Sequence, residues 1–554
     1  MLNYQTIQRI LKKPEALVFL FSLWVALTCN LGYWTIVASS NATGNLPGVA
    51  FLANLALLTL GLISLVMLLL AVGIFTRIVL MLALVVSAAA GYFTHRFGTL
   101  IDTDMLVNVF ETDPAEASDL LTLPFVATIV LLGVLPAIAV WKYPFAQRRL
   151  PVAIRDRSVA LLLAVCLIAG PLYVAQKEIM SFGRNHREVR HAIAPINAIS
   201  AGFVLVRDAL ETPPVYRQIG LDAAHVDGDL PRVHVLFVGE TARAQNFSLD
   251  GYPRNTNPEL QAIANVLYTR ASSCGTATAT SLPCMLTEGG RDGFDRVVRQ
   301  KQDNLLDIAA RAGYAVYWID NGNGCKTLCD RVDSRDLHLA DVDSLCSETA
   351  CFDEILVHEL KSLLANVSGD TLIVMHPLGS HGPAYFRRYP EEYRRFMPDC
   401  RSQNFGDCSK EEIVNSYDNT ILYTDHVIAA AIDALAAESD RINPSLLYMS
   451  DHGESLGEHN LFLHGMPYNL APETQKQVPM ISWFGGQAAR GIGAHSICQP
   501  ANTQNGISHD NLFHTELGLL DIQTSAYKKD MDIFAGCLNA EQLAAAEPLR
   551  ANAT

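Results

Sequence analysis

Residues 233–241 read VHVLFVGET, a nearly continuous apolar run that ends in Gly-Glu-Thr. A short run of this kind predicts a strand that is buried on both faces of a sheet. Four similar runs follow, and helical patterns at 303–312, 353–366 and 411–437 lie among them. The runs are AVYWI at 315–319, TLIVM at 371–375, SLLYM at 445–449 and MISWF at 480–484. We therefore predict an α/β domain with a parallel-rich sheet flanked by helices.

Polar side chains follow three of these predicted strands. Glu240 follows the first run, His376 and His381 follow the third, and Asp451 and His452 follow the fourth. In such sheets ligands bind beyond the carboxyl ends of the strands. Carboxylate and imidazole donors in one crevice suit Zn²⁺ or Mn²⁺. Any one of these residues alone is more often a cap or a surface residue, so the predicted metal site rests on their conjunction.

The segment 273–284, SCGTATATSLPC, places small hydroxyl residues before an apolar stretch. This pattern resembles a helix N-terminus, whose N–H groups and positive dipole favour a bound phosphate. A threonine there is most commonly an N-cap. A metal or a base nearby turns threonine into a nucleophile, and the predicted metal ligands favour that second interpretation.

The front of the chain has a different composition. Five apolar stretches are long enough to span a bilayer. They lie at about 16–39, 49–75, 78–95, 123–141 and 158–176. Buried core helices or a cleaved signal peptide fit five such runs poorly. Lys and Arg cluster before the first stretch and between the fourth and fifth, and Arg77 lies between the second and third. This predicts a cytoplasmic N-terminus and places everything after Lys177 outside.

The composition of the 554 residues sets the protein class. Half of the residues are hydrophobic, 18% are charged, and the formal net charge is −15. This excludes a disordered chain and a nucleic-acid-binding protein. We predict a five-helix transmembrane domain at 1–177, bridging amphipathic helices along the membrane face at 178–214, and a catalytic domain at 215–554.

Cysteine positions test this orientation independently. Two of the 12 cysteines, Cys29 and Cys166, lie in predicted spans, and the other ten all follow the last span. Eight of these ten form close pairs: Cys274/Cys284, Cys325/Cys329, Cys346/Cys351 and Cys400/Cys408. Disulfides persist in oxidising compartments such as the bacterial periplasm. The alternative of a metal or thiol site at CKTLC lacks a second matching pair, and the pairing of Cys498 and Cys537 stays open.

Taken together, the five spans and four motifs resemble the lipid A phosphoethanolamine transferases, inner-membrane enzymes that include the mobile colistin-resistance determinants. The motifs are SCGTATATSLPCM at 273–285, GNGCKTLCDRV at 322–332, HPLGSHGPAY at 376–385 and SDHGESLGEHNLFLHG at 450–465. The resemblance covers nearly the whole chain. It implies a periplasmic domain with an alkaline-phosphatase/sulfatase-like fold, on a multi-pass protein of a Gram-negative inner membrane.

The resemblance also implies roles for individual residues. Thr278 is the nucleophile that holds the phosphoethanolamine group. One tight Zn²⁺ is bound by Glu240, Thr278, Asp451 and His452. Substrate phosphate or a second metal is bound by Lys326, His381 and His464, which we expect to act in catalysis.

A second set of residues is implied to bind the ethanolamine head group. These residues are Asn108, Thr112 and Glu116, and Asn323 is a further implied substrate contact. The first three are spaced by four residues, which puts them on one helical face. A plain capping or solvated acidic segment is the alternative interpretation of that stretch.

The implied reaction is zinc-dependent transfer of phosphoethanolamine from phosphatidylethanolamine to a lipid A phosphate, with resistance to polymyxin and colistin as its result. We expect a monomer that meets both lipid substrates in one bilayer and binds no nucleic acid. Transfer of phosphoethanolamine or phosphoglycerol to another periplasmic glycan is one alternative, and a non-catalytic membrane scaffold is another. A sulfatase is disfavoured because no Cys-x-Pro-x-Arg pattern lies around Cys274 or Cys284.

Overall fold

A computed structural model gives the fold. It describes residues 11–39, 48–112, 114–146, 148–210, 214–225, 228–322, 324–338, 340, 342, 345–346, 350–486 and 506–535. The chain divides into two compact units. The helical unit comprises Met1–Leu106, Leu121–Glu211 and His459–Phe462, and the sheet unit comprises Val107–Leu120, Thr212–Glu458 and Leu463–Thr554. Segment 107–120 therefore groups with the sheet unit, although apolar helices of the helical unit precede and follow it.

Apolar helices of membrane-spanning length form most of the helical unit. Within the described residues these are Gly48–Leu70, Gly73–Phe97, Leu123–Lys142 and Leu150–Val174, and the bent pair Pro14–Cys29 and Leu31–Ser39 is a fifth if it counts as one span. Shorter helices follow at Gln176–Asn185, Arg187–His191 and Ile196–Leu210. The predicted set of apolar helices is thus present.

The first predicted span is bent rather than straight. Its two helices meet at 58° around Asn30, whose side chain is buried. The Asn30 amide donates to the Val25 carbonyl at 2.9 Å and to the Ala194 carbonyl at 3.0 Å, and its oxygen accepts from the Ala194 N–H at 2.8 Å. The bend is explained by the polar side chain of Asn30, which hydrogen-bonds to backbone groups where the helix is interrupted.

The structure describes nine strands, of which all but the eighth lie wholly in the sheet unit. They are β1 (Arg232–Gly239), β2 (Leu267–Ser272), β3 (Ala315–Asp320), β4 (Asp333–Asp336), β5 (Thr371–His376), β6 (Asn443–Ser450), β7 (Ser455–Glu458), β8 (Leu461–Leu463) and β9 (Gln477–Phe484). Seven of them form one sheet in the order β2-β9-β6-β1-β5-β3-β4. β7 and β8 lie outside it.

Strand direction makes the sheet mixed but mostly parallel. β6, β1, β5, β3 and β4 run parallel to one another, and β9 pairs antiparallel with both β6 and β2. The central strands β1 and β5 are buried almost throughout, as their apolar runs require. The predicted parallel-rich α/β sheet is therefore confirmed.

Helices flank this sheet. They are Pro258–Ala262, Thr278–Met285, Arg296–Gln300, Leu305–Arg311, Glu354–Leu364, Lys410–Ala436, Glu473–Lys476 and His509–Leu519. The helix Lys410–Ala436 begins with a capping box, in which the Ser409 hydroxyl accepts from the Glu412 N–H at 3.2 Å and the Glu412 carboxylate accepts from the Ser409 N–H at 2.6 Å. Segment 107–120 contributes the end of helix Thr103–Glu111 and helix Pro114–Leu120.

The predicted close cysteine pairs are disulfides. Within the described residues the bonds join Cys274 to Cys284, Cys325 to Cys329, Cys346 to Cys351 and Cys400 to Cys408. Cys29 and Cys166 are free cysteines, as expected for residues in apolar helices. Cys498 and Cys537 lie outside the described residues.

Candidate functional site

Two neighbouring strands end at one buried polar cluster. Glu240 follows β1, and Asp451 and His452 follow β6, which pairs with β1 along its whole length. One potential ligand atom from each residue lies within 4.8 Å of the other two, and all three side chains are inaccessible to solvent. The strand-end rule therefore brings these predicted ligands together.

Thr278 joins this cluster through its hydroxyl. Its Oγ1 donates to Glu240 Oε2 at 3.1 Å and lies 3.4 Å from His452 Nε2. Thr278 is the first residue of helix Thr278–Met285, and Ala277 occupies the N-cap position without a side-chain cap bond. The capping interpretation of Thr278 is thus wrong, because its side chain faces the carboxylate rather than the backbone of its own helix.

The donor atoms of the cluster fit a divalent cation. Asp451 Oδ1 accepts the N–H groups of Thr241 at 3.1 Å and His452 at 2.7 Å, while the buried Oδ2 has no hydrogen-bond partner within the described chain. His452 Nδ1 lies 2.9 Å from the Gly453 carbonyl, so Nδ1 carries the hydrogen and the lone pair of Nε2 faces the cluster. Two carboxylates, one imidazole nitrogen and one hydroxyl suit a tetrahedral site.

Electrostatics also favour a cation here. Burial and the charge of Glu240 raise the pKa of Asp451 above its usual value. Burial also disfavours the ionised form of Glu240, but His376, His452 and His381 outweigh it and lower the pKa of Glu240. Behind Glu240 lies His376, whose Nδ1 is 2.9 Å from Asp320. Burial lowers the pKa of His376, but Asp320 and Glu240 outweigh it and raise the pKa to about 10. A positive charge beside buried carboxylates offsets their desolvation.

Two further predicted histidines line up with His452. The His464 ring centre lies 4.4 Å from that of His452 and 5.1 Å from that of His381. Glu454 fixes His464, with Oε2 at 2.9 Å from Nδ1, and its Oε1 accepts from the Tyr385 hydroxyl at 2.5 Å. Glu454 was not predicted as a site residue. Its position two residues after His452 in the SDHGES motif was the available signal.

Lys326 occupies a strained position in the short disulfide loop Cys325–Cys329. Its φ is +49°, a left-handed conformation that is uncommon outside glycine. Its Nζ donates to the Glu111 carbonyl at 3.0 Å. Glu111 ends the helix that carries Asn108, so Lys326 contacts the segment that holds the predicted head-group residues.

The head-group residues are only partly described. The Thr112 hydroxyl donates to the Asn108 carbonyl at 2.6 Å and so closes the end of its own helix. The side chain of Glu116 and the whole of Asn323 lie outside the described residues. Their substrate roles stay predictions.

We expect Glu454→Gln to lower turnover about 10–100-fold, the usual cost of removing a partner that orients a site histidine. Glutamine keeps the shape of the side chain but loses the charge that holds the Nδ1–H of His464. Steady-state turnover with bound metal quantified in parallel measures this effect. Glu516→Gln is the matched control, because Glu516 is equally buried and lies 3.0 Å from His234 in the sheet core. Equal losses in both variants would contradict a specific role for Glu454.

Two family profiles match separate parts of the chain. A family profile described as "Phosphoethanolamine transferase EptA/EptB" matches residues 59–210, and one described as "Sulfatase" matches residues 232–522. The second match covers the sheet and the cluster at its strand ends. The predicted alkaline-phosphatase and sulfatase type of fold is therefore confirmed.

Relatives extend over almost the whole chain. Phosphoethanolamine transferase EptA of Salmonella typhimurium is 37% identical over 96% of this chain and 99% of its own length. Phosphatidylethanolamine transferase Mcr-1 of Escherichia coli is 33% identical over 93% and 96%. Among solved structures, the integral membrane protein lipooligosaccharide phosphoethanolamine transferase A of Neisseria meningitidis matches with a TM-score of 0.90 and 35% identity, covering 95% of this chain and 99% of that one.

Proposed function

The chain belongs to the phosphoethanolamine transferase family of integral membrane enzymes, and we propose that it moves phosphoethanolamine from phosphatidylethanolamine to a phosphate of lipid A. The observation that carries the proposal is the hydrogen bond from Thr278 to Glu240 inside the buried cluster. A hydroxyl held by a carboxylate at a helix N-terminus has both a base and a phosphate-binding environment. Modification of lipid A phosphates in this way would confer resistance to polymyxin and colistin.

The proposed cofactor is one tightly bound Zn²⁺. Glu240, Thr278, Asp451 and His452 would hold it, and their oxygen and imidazole donors suit zinc better than magnesium. Bound zinc would lower the pKa of the Thr278 hydroxyl and screen negative charge on the phosphoryl oxygens. A second ion near His381 and His464 is an additional expectation from the family resemblance.

The chain's own residues account for the proton and charge transfers. The Thr278 proton leaves along its hydrogen bond to Glu240 while Oγ bonds to the phosphorus of the donor. The bond from phosphorus to the diacylglycerol oxygen breaks, and His464 gives that oxygen a proton. Lys326 stabilises charge on the phosphoryl oxygens. A hydroxyl oxygen of the acceptor phosphate then gives its proton to His464, bonds to the phosphorus and displaces Thr278. Thr278 recovers its own proton from Glu240.

The proposed location is the bacterial inner membrane with the sheet unit in the periplasm. The disulfides of the sheet unit support an oxidising compartment. The apolar helices support residence in the same bilayer as both lipid substrates.

Mass spectrometry of lipid A from Gram-negative cells with and without the protein tests the proposal. We expect a mass increment of one phosphoethanolamine group, absent from cells that carry Thr278→Ala. Unmodified lipid A together with phosphoethanolamine on a periplasmic glycan would refute lipid A as the acceptor. A phosphoglycerol adduct would refute phosphatidylethanolamine as the donor. The absence of any adduct would favour the alternative of a non-catalytic membrane scaffold.

We expect Glu116→Ala to raise the KM for phosphatidylethanolamine about tenfold, the loss of one hydrogen bond to a charged group. A carboxylate is the natural partner of the donor's ammonium group. The donor concentration dependence of transfer, with zinc content measured in parallel, tests this. Asp104→Ala is the control, since Asp104 is an exposed acid in the first turn of helix Thr103–Glu111. The same KM in both variants would refute a head-group role.

A further inference from the structure

Segment 107–120 is tied to the rest of the sheet unit at two places. Near its start, the Glu111 carboxylate pairs with Arg296, and the Glu111 carbonyl accepts from Lys326. Near its end, the carboxylate of Asp119 accepts three hydrogen bonds. In the sequence, Thr112 and Glu116 lie between these ties and Asn108 lies three residues before the first. The ties therefore hold the segment that carries these three proposed head-group residues.

The tie at Asp119 is largely buried. Only 5% of the Asp119 side chain is exposed. Its Oδ2 accepts from Arg388 Nη2 at 2.8 Å, and its Oδ1 accepts from Arg387 Nη1 at 2.6 Å and Gln403 Nε2 at 3.0 Å. The Arg388 side chain is 8% exposed, whereas that of Arg387 is 52% exposed. Exposed pairs contribute little, so the pair with Arg388 is the one with fixed geometry.

Arg388 makes a second contact on its other side. Its Nε donates to the backbone carbonyl of His381 at 3.0 Å. The His381 ring faces His464, which Glu454 holds beside His452. One planar guanidinium therefore connects Asp119, which is three residues from Glu116, to the backbone of a site histidine.

Resting on the transferase function above, we propose that Asp119 and Arg388 are positioning residues that hold the head-group segment in register with His381. The donor lipid has its ammonium group a few bonds from its phosphate, so the two ends of the head group need a fixed separation between their binding residues. Neither Asp119 nor Arg388 contacts the reacting atoms in this arrangement. Both act through the backbone elements that they join.

The two residues differ in what they hold, and this difference is measurable. Asp119→Asn keeps the shape but loses the charge that anchors segment 107–120. We expect the KM for phosphatidylethanolamine to rise about tenfold. Arg388→Gln also releases the His381 carbonyl, so kcat is expected to fall as well. Arg388→Lys is expected to stay defective, because an ammonium group cannot bond to Asp119 and His381 in the same planar geometry.

The experiment uses the full-length, zinc-loaded enzyme in detergent micelles with phosphatidylethanolamine as donor and 4-nitrophenyl phosphate as a soluble reference substrate. For Asp119→Asn, kcat/KM for the lipid relative to that for the soluble ester is expected to fall about tenfold. Asp303→Asn is the control, because Asp303 is a buried aspartate whose carboxylate lies 2.7 Å from Arg311. It should leave this ratio unchanged.

Coupling between the two positions provides a second readout. If Asp119 and Arg388 act as one unit, the double variant should be no worse than Arg388→Gln alone. An unchanged lipid KM in Asp119→Asn, or a loss on both substrates that follows a lower melting temperature as in Asp303→Asn, would overturn the inference. A wild-type enzyme that hydrolyses the soluble ester but takes nothing from phosphatidylethanolamine would refute the proposed function and this inference with it.

Discussion

Replacing Thr278 with alanine is expected to abolish transfer, with a fall in rate of roughly 10⁴-fold or more, as for other enzymes that lose their nucleophile. The fold should remain intact, because the Thr278 side chain makes no cap bond and the N-cap position belongs to Ala277. The removed hydroxyl donates only to Glu240 among its close contacts and lies beside His452. The free energy of unfolding should therefore change by no more than about 1 kcal/mol.

Intact-mass measurement locates the covalent group. Wild-type enzyme incubated with phosphatidylethanolamine should gain one phosphoethanolamine group on the peptide that contains Thr278. Thr280→Ala is a close control, two residues further along the same helix, and should still form the adduct. An adduct mapped to Thr276 or Thr280 would move the nucleophile, and full activity in Thr278→Ala would disprove its role.

Removing the metal is expected to have the second large effect. Asp451→Asn should reduce bound zinc to less than about a tenth of the wild-type amount. The loss of a direct metal ligand weakens metal binding at least as much as the loss of a residue that orients a ligand. Transfer should fall in proportion. Zinc content and activity after chelation and zinc return test this, with Asp425→Asn as control. Asp425 is a buried aspartate that accepts from the backbone N–H groups of Glu259 and Leu260, away from the proposed metal ligands.

The effect of Asp451→Asn on thermal stability should differ with and without zinc. Burial and Glu240 raise the pKa of Asp451, so its ionised form destabilises the metal-free fold at neutral pH. Metal-free Asp451→Asn should therefore melt at least as high as metal-free wild type. Added zinc should raise the melting temperature of the wild type but not of the variant, because only binding to the folded state stabilises it. Equal zinc responses in both proteins would contradict this ligand assignment.

The central strands were predictable because burial leaves a strong pattern. The apolar runs at 233–238 and 371–375 correspond to β1 and β5, with each boundary within about a residue. β2 and β4 were not predicted, and both are edge strands that carry charged or polar residues, such as DSRD in β4. Edge strands need no continuous apolar run. The antiparallel direction of β9 depends on its connections, which its own residues do not report.

The residues of the candidate site likewise include some that the sequence predicts and some that it does not. Glu240, Asp451 and His452 were predictable because each follows a recognisable strand, and parallel strands end at one edge. Asp119 and Arg388 were not, since 269 residues separate them in the chain and neither belongs to a pattern. Their pairing exists only after the sheet and segment 107–120 have both been placed.

The grouping of segment 107–120 with the sheet unit has a consequence for synthesis. Asp119 leaves the ribosome well before Arg388, and at about 5–20 residues per second the interval is roughly 10–50 s. During that interval Asp119 has been made, but Arg387, Arg388 and Gln403, which bind its carboxylate, have not. The Asp119 end of the segment can therefore make its final contacts only after Gln403 has been synthesised.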